Sequence, residues 1–328
     1  MKPGEIEIKW EMLSQSAFDK LSSKVNRDNL ELFGVKFPTQ SLQINVSYDN
    51  QGFKQLLEEK FGLTAPYKDA PLLTFIRYDK SFGVDLPFKH YGYVSPDGRN
   101  AIVFAGSFGM FKSTISGFAS YSMDAFGFVP AHASALEVNG KGILFIGGSG
   151  AGKTTMLLNV IEPLRVRGVS FSVLTDDWAI VKIDNDGVIA ETFDPSISLK
   201  EKNLIENGNI RFYEHEALVQ AIKERIKVSS SPDKLYGISA TAHKINVDVI
   251  VLLKPDIGDA KLHISGGEEL ADIAVESAYH YPYVNDKQRN RHKDVRFKTA
   301  KRIPVYSFYT RSFDGNFQNL GALEEVIL

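Results

Sequence analysis

ILFIGGSGAGKTTMLL, residues Ile143 to Leu158, is an apolar run, then a turn crowded with glycine, then the opening of a helix. Within it Gly147, Gly148, Ser149, Gly150, Ala151, Gly152, Lys153 and Thr154 fit the pattern G-x-x-x-x-G-K-[ST] without a mismatch. The physics of that pattern is specific. Glycines allow successive backbone N–H groups to turn inward, the following helix adds its positive end, the lysine reaches terminal phosphates and the threonine hydroxyl meets magnesium. The stretch is therefore expected to cradle the polyphosphate of a nucleotide, with Thr155 next along the helix and Thr154 on the magnesium; the loop does not distinguish ATP from GTP.

Working outward, ASALEV and KGILFI flank Asn139-Gly140, a strong hairpin signal, so the strand entering the glycine turn is expected to be one arm of a hairpin. After the turn, Leu157, Val160 and Ile161 share a helical face, and Pro163 is expected to limit or kink that helix. FSVLT follows as a strand closed by Asp176-Asp177, and WAIVKI with GVIAET flanks Asn185-Asp186-Gly187 as a second hairpin. VDVIVLLK is a continuous apolar run of the kind buried on both sheet faces. AKLHIS, a helix through Glu268, Glu269, Leu270, Ile273 and Ala274, and the strand RIPVYSFY complete this half. Strands alternating with helices around a glycine loop define an α/β domain, placed at 129–328.

The region before it, 1–128, reads as an α+β accessory domain with no chemical motif of its own. SLQINVSY and LLTFIRY are strand-like. KHYGYV and NAIVFAG flank Ser95-Pro96-Asp97-Gly98 as a hairpin, and Ile115, Phe118, Ala119 and Tyr121 recur at helical spacing.

Composition narrows the chemistry. The 328 residues are 43% hydrophobic and 24% charged with a formal charge of −2, so no global field draws the chain to nucleic acid or an acidic membrane. With no cysteine, disulfides, thiol catalysis, cysteine-held zinc and iron–sulfur clusters are excluded. The opening MKPGEIEIKWEM lacks a signal-peptide core, and the window Ala101 to Tyr121 is too interrupted by Lys112, glycines and hydroxyls to span a bilayer. A cytoplasmic protein with no membrane partner is expected.

A phosphate cradle needs a carboxylate at the end of a neighbouring strand, and Asp176-Asp177 arrive about twenty residues after the loop. Adjacent acids there are costly unless a cation or a proton separates their charges. One carboxylate can serve magnesium while the other takes a proton from an attacking hydroxyl. The bland alternative is that the pair opens the following turn.

HASALEVNGKGILFIGGSGAGKTT, followed by LTDDWAIV, resembles the HPr kinase/phosphorylase group, whose catalytic domain is related to phosphoenolpyruvate carboxykinases. The shared features are a histidine fifteen positions before the first loop glycine, the intervening hairpin, the loop, and a double aspartate closing the next strand. The resemblance implies an HPr-kinase/carboxykinase-like catalytic domain in which His132 lies near the transferred phosphate, Asp176 is general base, Asp177 organises the metal and Lys153 contacts the phosphates. On its own, His132 reads as a histidine satisfying a backbone group. The implied activity is a kinase moving the γ-phosphate of ATP to the hydroxyl of a peptide or protein serine or of a small alcohol, and self-association is a further expectation. A carboxykinase-like lyase acting on a keto acid, and a nucleotide-operated binding module, are the alternatives.

The likeness is firm over Ala131 to Val181. It departs at a loop where HPr kinases carry an arginine before a glycine and this chain reads Lys234-Leu235-Tyr236-Gly237-Ile238. From Lys287 to Arg302, eight lysines and arginines stand against one aspartate. That segment is either a solvated face or the source of a substitute cation such as Arg289, Arg291 or Arg296. Recognition of an acidic acceptor is a third reading, and nucleic acid is not the expected partner.

Overall fold

The computed structural model describes residues 9–25, 30–36, 43–48, 63–77, 90–105, 111–124, 126–148, 150–192, 194–199, 228–256, 261–264, 268–270, 286–311 and 320–327. The chain is a mixed α/β protein with several sheets and divides into two compact units. One comprises Met1–Gly127 with Tyr279–Arg289, the other Phe128–Ala278 with Asn290–Leu328.

In the first unit, strands β1 (Lys9–Met12), β2 (Glu31–Lys36), β3 (Gln43–Tyr48), β4 (Leu63–Thr64), β5 (Leu72–Arg77), β6 (His90–Val94) and β7 (Asn100–Ala105) form one sheet in the order β1-β6-β7-β5-β3-β2-β4. The hairpin read around Ser95 to Gly98 is β6–β7, antiparallel with His90 opposite Ala105. Its turn is tied by the Ser95 hydroxyl, which accepts from the Asn100 N–H at 2.9 Å and donates to Asp97 at 2.6 Å. Helix α1 (Gln15–Lys24) is capped by Ser14 and buries Phe18 with Ile76, Ile102 and Phe104. Helix α2 (Phe111–Asp124) buries Ile115, Phe118, Ala119 and Tyr121, as their spacing predicts. The window Ala101 to Tyr121 is thus β7 and α2, and no helix among the described residues is long and apolar enough to cross a membrane.

The second unit is built around a six-stranded sheet. Its strands are β9 (Ala133–Val138), β10 (Lys141–Ile146), β11 (Phe171–Thr175), β17 (Val249–Asp256), β18 (Lys261–Ile264) and β19 (Val305–Arg311), in the order β11-β9-β10-β17-β19-β18. The β9–β10 hairpin closes on Asn139 and Gly140, both at positive φ, as a tight two-residue turn requires. Strands β10, β17 and β19 run parallel, so their carboxyl ends share one edge.

Alternation along these strands sorts two cores. Leu136, Val138, Ile143, Phe145, Val251 and Leu253 pack on the side that carries helix α3 (Lys153–Val166). Ala133, Ala135, Leu144, Ile146, Ile250 and Leu252 pack on the other. There they meet a second sheet of four strands, β8 (Val129–Ala131), β12 (Ala179–Asp184), β13 (Gly187–Glu191) and β16 (Lys244–Asn246), ordered β16-β13-β12-β8. With both faces covered, β10 from Ile143 to Ile146 and β17 from Val249 to Leu253 carry apolar residues at every position. A pair β14 (Ile197–Leu199) and β15 (Val228–Ser230) completes the strands.

Pro163 does not end α3, which continues to Val166. The stop is a Schellman motif on Gly168, with Val169 N–H bonded to the Leu164 carbonyl and Gly168 N–H to that of Arg165. Residues 268–270 are helical, and the remainder of the helix expected through Ile273 and Ala274 lies outside the described residues. Helices α4 (Pro232–Tyr236), α5 (Asp286–Ala300) and α6 (Leu320–Ile327) account for the rest.

Candidate active site

Two chain bends create the site. After β8 the chain turns at His132 into β9, passing from the four-stranded sheet to the six-stranded one; after β11 it turns through Asp176, Asp177 and Trp178 into β12, passing the other way. Register places both beside the glycine loop. Ala133 pairs with Ile146, so His132 stands opposite the first loop glycine, and Thr175 pairs with Ala135. The Thr175 hydroxyl braces the aspartate corner by accepting from the N–H groups of Asp177 and Trp178, each at 3.3 Å, and donating to the Asp194 carbonyl at 2.9 Å.

The loop glycines are required for two different reasons. A Cβ on Gly147 would lie 2.8 Å from the Ala151 Cβ and 2.9 Å from the Leu253 carbonyl oxygen, so crowding excludes a side chain. Gly150 and Gly152 have φ of 81° and 89° with open space where a Cβ would sit, so there the backbone conformation does the selecting. Gly152 opens α3, and that combination of inward backbone, helix start and vacant room suits an anion. Ser149 lies outside the described residues; Thr155 is buried in the first turn of α3.

Lys153 folds back over its own loop, donating to the carbonyls of Gly147 at 2.9 Å and Gly148 at 3.0 Å. Burial pulls its ammonium down to about 8, against the opposing pull of Asp177 and Asp176.

The two aspartates have different surroundings. Asp176 is buried and accepts from the Thr154 hydroxyl at 3.1 Å, the Ser198 N–H at 3.0 Å and the Ser134 hydroxyl at 3.0 Å. Burial pushes its carboxyl up to about 7, with Asp177's charge adding to the rise and the three donors opposing it. Asp177 has a side chain 32% exposed, and its Oδ1 lies 3.3 Å from Nε2 of the buried His132. The structure thus brings together Lys153, Thr154, Asp176, Asp177 and His132, all read as site residues.

Ser134 and Ser198 belong to the constellation as well. Ser134 has a legible trace, being the one hydroxyl in the apolar strand ASALEV and on the face turned toward α3. Ser198 contributes only a backbone N–H, delivered by β14 from tertiary packing, and has no signature in sequence.

The substitute cations are placed otherwise. Arg289 and Arg291 are exposed on α5, whereas Arg296 is buried and donates to the Pro130 carbonyl, two residues before His132. The basic run is therefore a helix with a buried polar face of His292, Arg296 and Thr299. At the loop lacking the family arginine, α4 is capped by Ser231 and ended by Gly237, Lys234 is exposed, and Tyr236 is buried edge-to-face on Phe171 at 5.8 Å. The Tyr236 phenol is raised, first by burial and then by the charges of Glu162 and Asp176.

The residues suit a nucleotide with magnesium. Among the described residues no three His, Asp or Glu side chains group to hold a metal alone, and magnesium in phosphate sites takes few protein ligands beside phosphate oxygens and water. Thr154 with Asp176 is such a partial set. Neither known protein-family models nor curated proteins give a match to this chain.

Proposed function

We propose that this chain is a cytoplasmic magnesium-dependent phosphotransferase, similar to HPr kinase/phosphorylase proteins in its catalytic domain, that moves the γ-phosphate of ATP to an alcohol oxygen. One observation carries the reading. A glycine cradle is flanked by two adjacent carboxylates with separate partners, Thr154 for Asp176 and His132 for Asp177.

Magnesium, when bound, neutralises charge on the phosphates. Thr154 and Asp176 would hold it. Lys153 would exchange the carbonyls of Gly147 and Gly148 for phosphate oxygens, and the amides around Gly150 and Gly152 would line the phosphate chain. Asp177 is the carboxylate open to an acceptor, so we assign it the proton: the acceptor oxygen bonds to the γ-phosphorus, the bond to the bridging oxygen breaks, ADP leaves and the hydroxyl proton passes to Asp177. His132 holds that carboxylate in place.

This allocation exchanges the roles that the resemblance implies. Asp176 already accepts three hydrogen bonds and has little surface, which suits an organiser more than a base. A carboxyl near 7 favours the implied order, with Asp176 as base, because a base works best with a pKa close to the working pH. The test of function is incubation with ATP and magnesium, supplying pooled metabolites and peptides and finding by mass spectrometry which compound gains phosphate. Nucleotide binding with no compound phosphorylated would leave a nucleotide-operated module. Manganese-dependent turnover of oxaloacetate would favour the carboxykinase-like alternative.

A further inference from the structure

Strand β17 is apolar from Val249 to Leu253, and Lys254 follows, two residues before the strand ends at Asp256. The Leu253 carbonyl, the oxygen of the peptide that joins Leu253 to Lys254, is one of the two groups that exclude a side chain from Gly147, so Lys254 follows the point where β17 abuts the glycine loop. Ile250 and Leu252 face the core between the two sheets while Val251 and Leu253 face α3, so alternation turns Lys254 toward the inter-sheet side. There it pairs with Glu269, whose neighbour Leu270 belongs to the same core. Glu269 also accepts from the Ser307 hydroxyl at 3.2 Å, and the Lys254 ammonium lies 5.3 Å from the centre of the Tyr309 ring.

This cluster lies at the carboxyl edge of β10, β17 and β19, the edge where open α/β sheets bind ligands. The His132 and Asp176–Asp177 bends open on the same edge. The Lys254 and Glu269 side chains are 21% and 34% exposed, so the pair is partly open to solvent. As part of a site it solves a charge problem. Two aspartates repel any acceptor that is itself negative, and a lysine at the same edge offsets that repulsion.

We propose that Lys254 and Glu269 form the acceptor subsite, and that the acceptor is an alcohol bearing an anionic group, carboxylate or phosphate. The anion takes the place of the Glu269 carboxylate on Lys254, while the hydroxyl faces Asp177. The inference rests on the phosphotransferase reading above.

The experiment has a binding arm and a transfer arm. Calorimetry with magnesium and a non-hydrolysable ATP analogue compares glycerate and glycerol 3-phosphate with uncharged glycerol and cationic ethanolamine. Either anion is expected to bind, the stronger one naming the group, while glycerol and ethanolamine give no heat. Lys254→Met should weaken the anion about tenfold or more through loss of a charge-assisted hydrogen bond. Glu269→Gln should tighten it severalfold, since its carboxylate no longer competes; a merely structural pair predicts weakening in both. Stabilisation by ATP in a thermal melt reports whether each variant keeps an intact cradle, and Lys254→Gln replaces Lys254→Met where the latter does not fold. Unchanged anion affinity in the lysine variants, no heat from either anion, or phosphorylation of glycerol or ethanolamine in preference to the anions would overturn the subsite. Lys254-dependent anion binding without any phosphorylated product supports the subsite and removes the phosphotransferase reading instead.

Discussion

The Thr154 hydroxyl and the Asp176 carboxylate meet at 3.1 Å across 22 residues of sequence, one at the start of α3 and the other just past the end of β11. The β-strand between β10 and β11 in space, β9, is antiparallel to both, so the two carboxyl ends share one edge with His132 between them. In this structure the two bind each other; in the proposed function they would hold magnesium together.

The two aspartates are separable by substitution. Asp177→Asn should retain nucleotide and magnesium affinity while transfer falls roughly a hundred- to ten-thousand-fold. Asp176→Asn should weaken magnesium-dependent nucleotide binding first. Calorimetry with and without magnesium, set beside turnover, decides the order, and the reverse pattern would restore Asp176 as the base.

Stability should fall as pH rises between about 4 and about 7. The Asp176 carboxyl is raised to about 7 in the fold, against its ordinary value of 3.8. In that window the folded chain holds the proton that the unfolded chain has released, so the slope is negative, at most about 1.4 kcal/mol per pH unit. Denaturant melts across pH should show this component in the parent and lose it in Asp176→Asn.

Lys153 carries the opposite sign at alkaline pH. Its ammonium, lowered to about 8 from 10.5, is lost in the fold before it is lost in the unfolded chain, so its contribution rises with pH from about 8 to about 10.5. Lys153→Met should remove this component and abolish detectable ATP binding, measured by calorimetry.

Gly147→Ala should destabilise by about 1–3 kcal/mol, because the new methyl meets the Leu253 carbonyl and the Ala151 side chain, and neither can withdraw without moving backbone. Urea melts measure the cost. A Gly147→Ala variant as stable as the parent would show that the loop and β17 separate readily.

Arg296→Met should cost about 1–3 kcal/mol by leaving the buried Pro130 carbonyl without this donor, and it should move the imidazole resonances of His132, two residues on. Arg296→Lys should recover part of both effects, as read by melts and by NMR.

Much of the local structure is legible in the residues. Asn139-Gly140 and Ser95 to Gly98 are hairpin turns because those residues accept the backbone angles that a reversal needs. VDVIVLLK is a central strand because only a strand covered on both faces tolerates apolar residues at every position. Pro163 does not itself end α3: the helix runs three residues further, and Gly168, with Val169 closing on Leu164, supplies the stop.

By itself, the sequence determined the glycine turn, the strand and helix around it, and the double aspartate closing the next strand, since each depends on neighbours within a few positions. Tertiary structure alone decided which aspartate meets Thr154, that the Ser198 amide bonds Asp176, that Arg296 donates to Pro130, and that Leu253 crowds Gly147. Those relations join residues far apart in the chain through sheet order and strand register, which arise from burying two apolar cores at once.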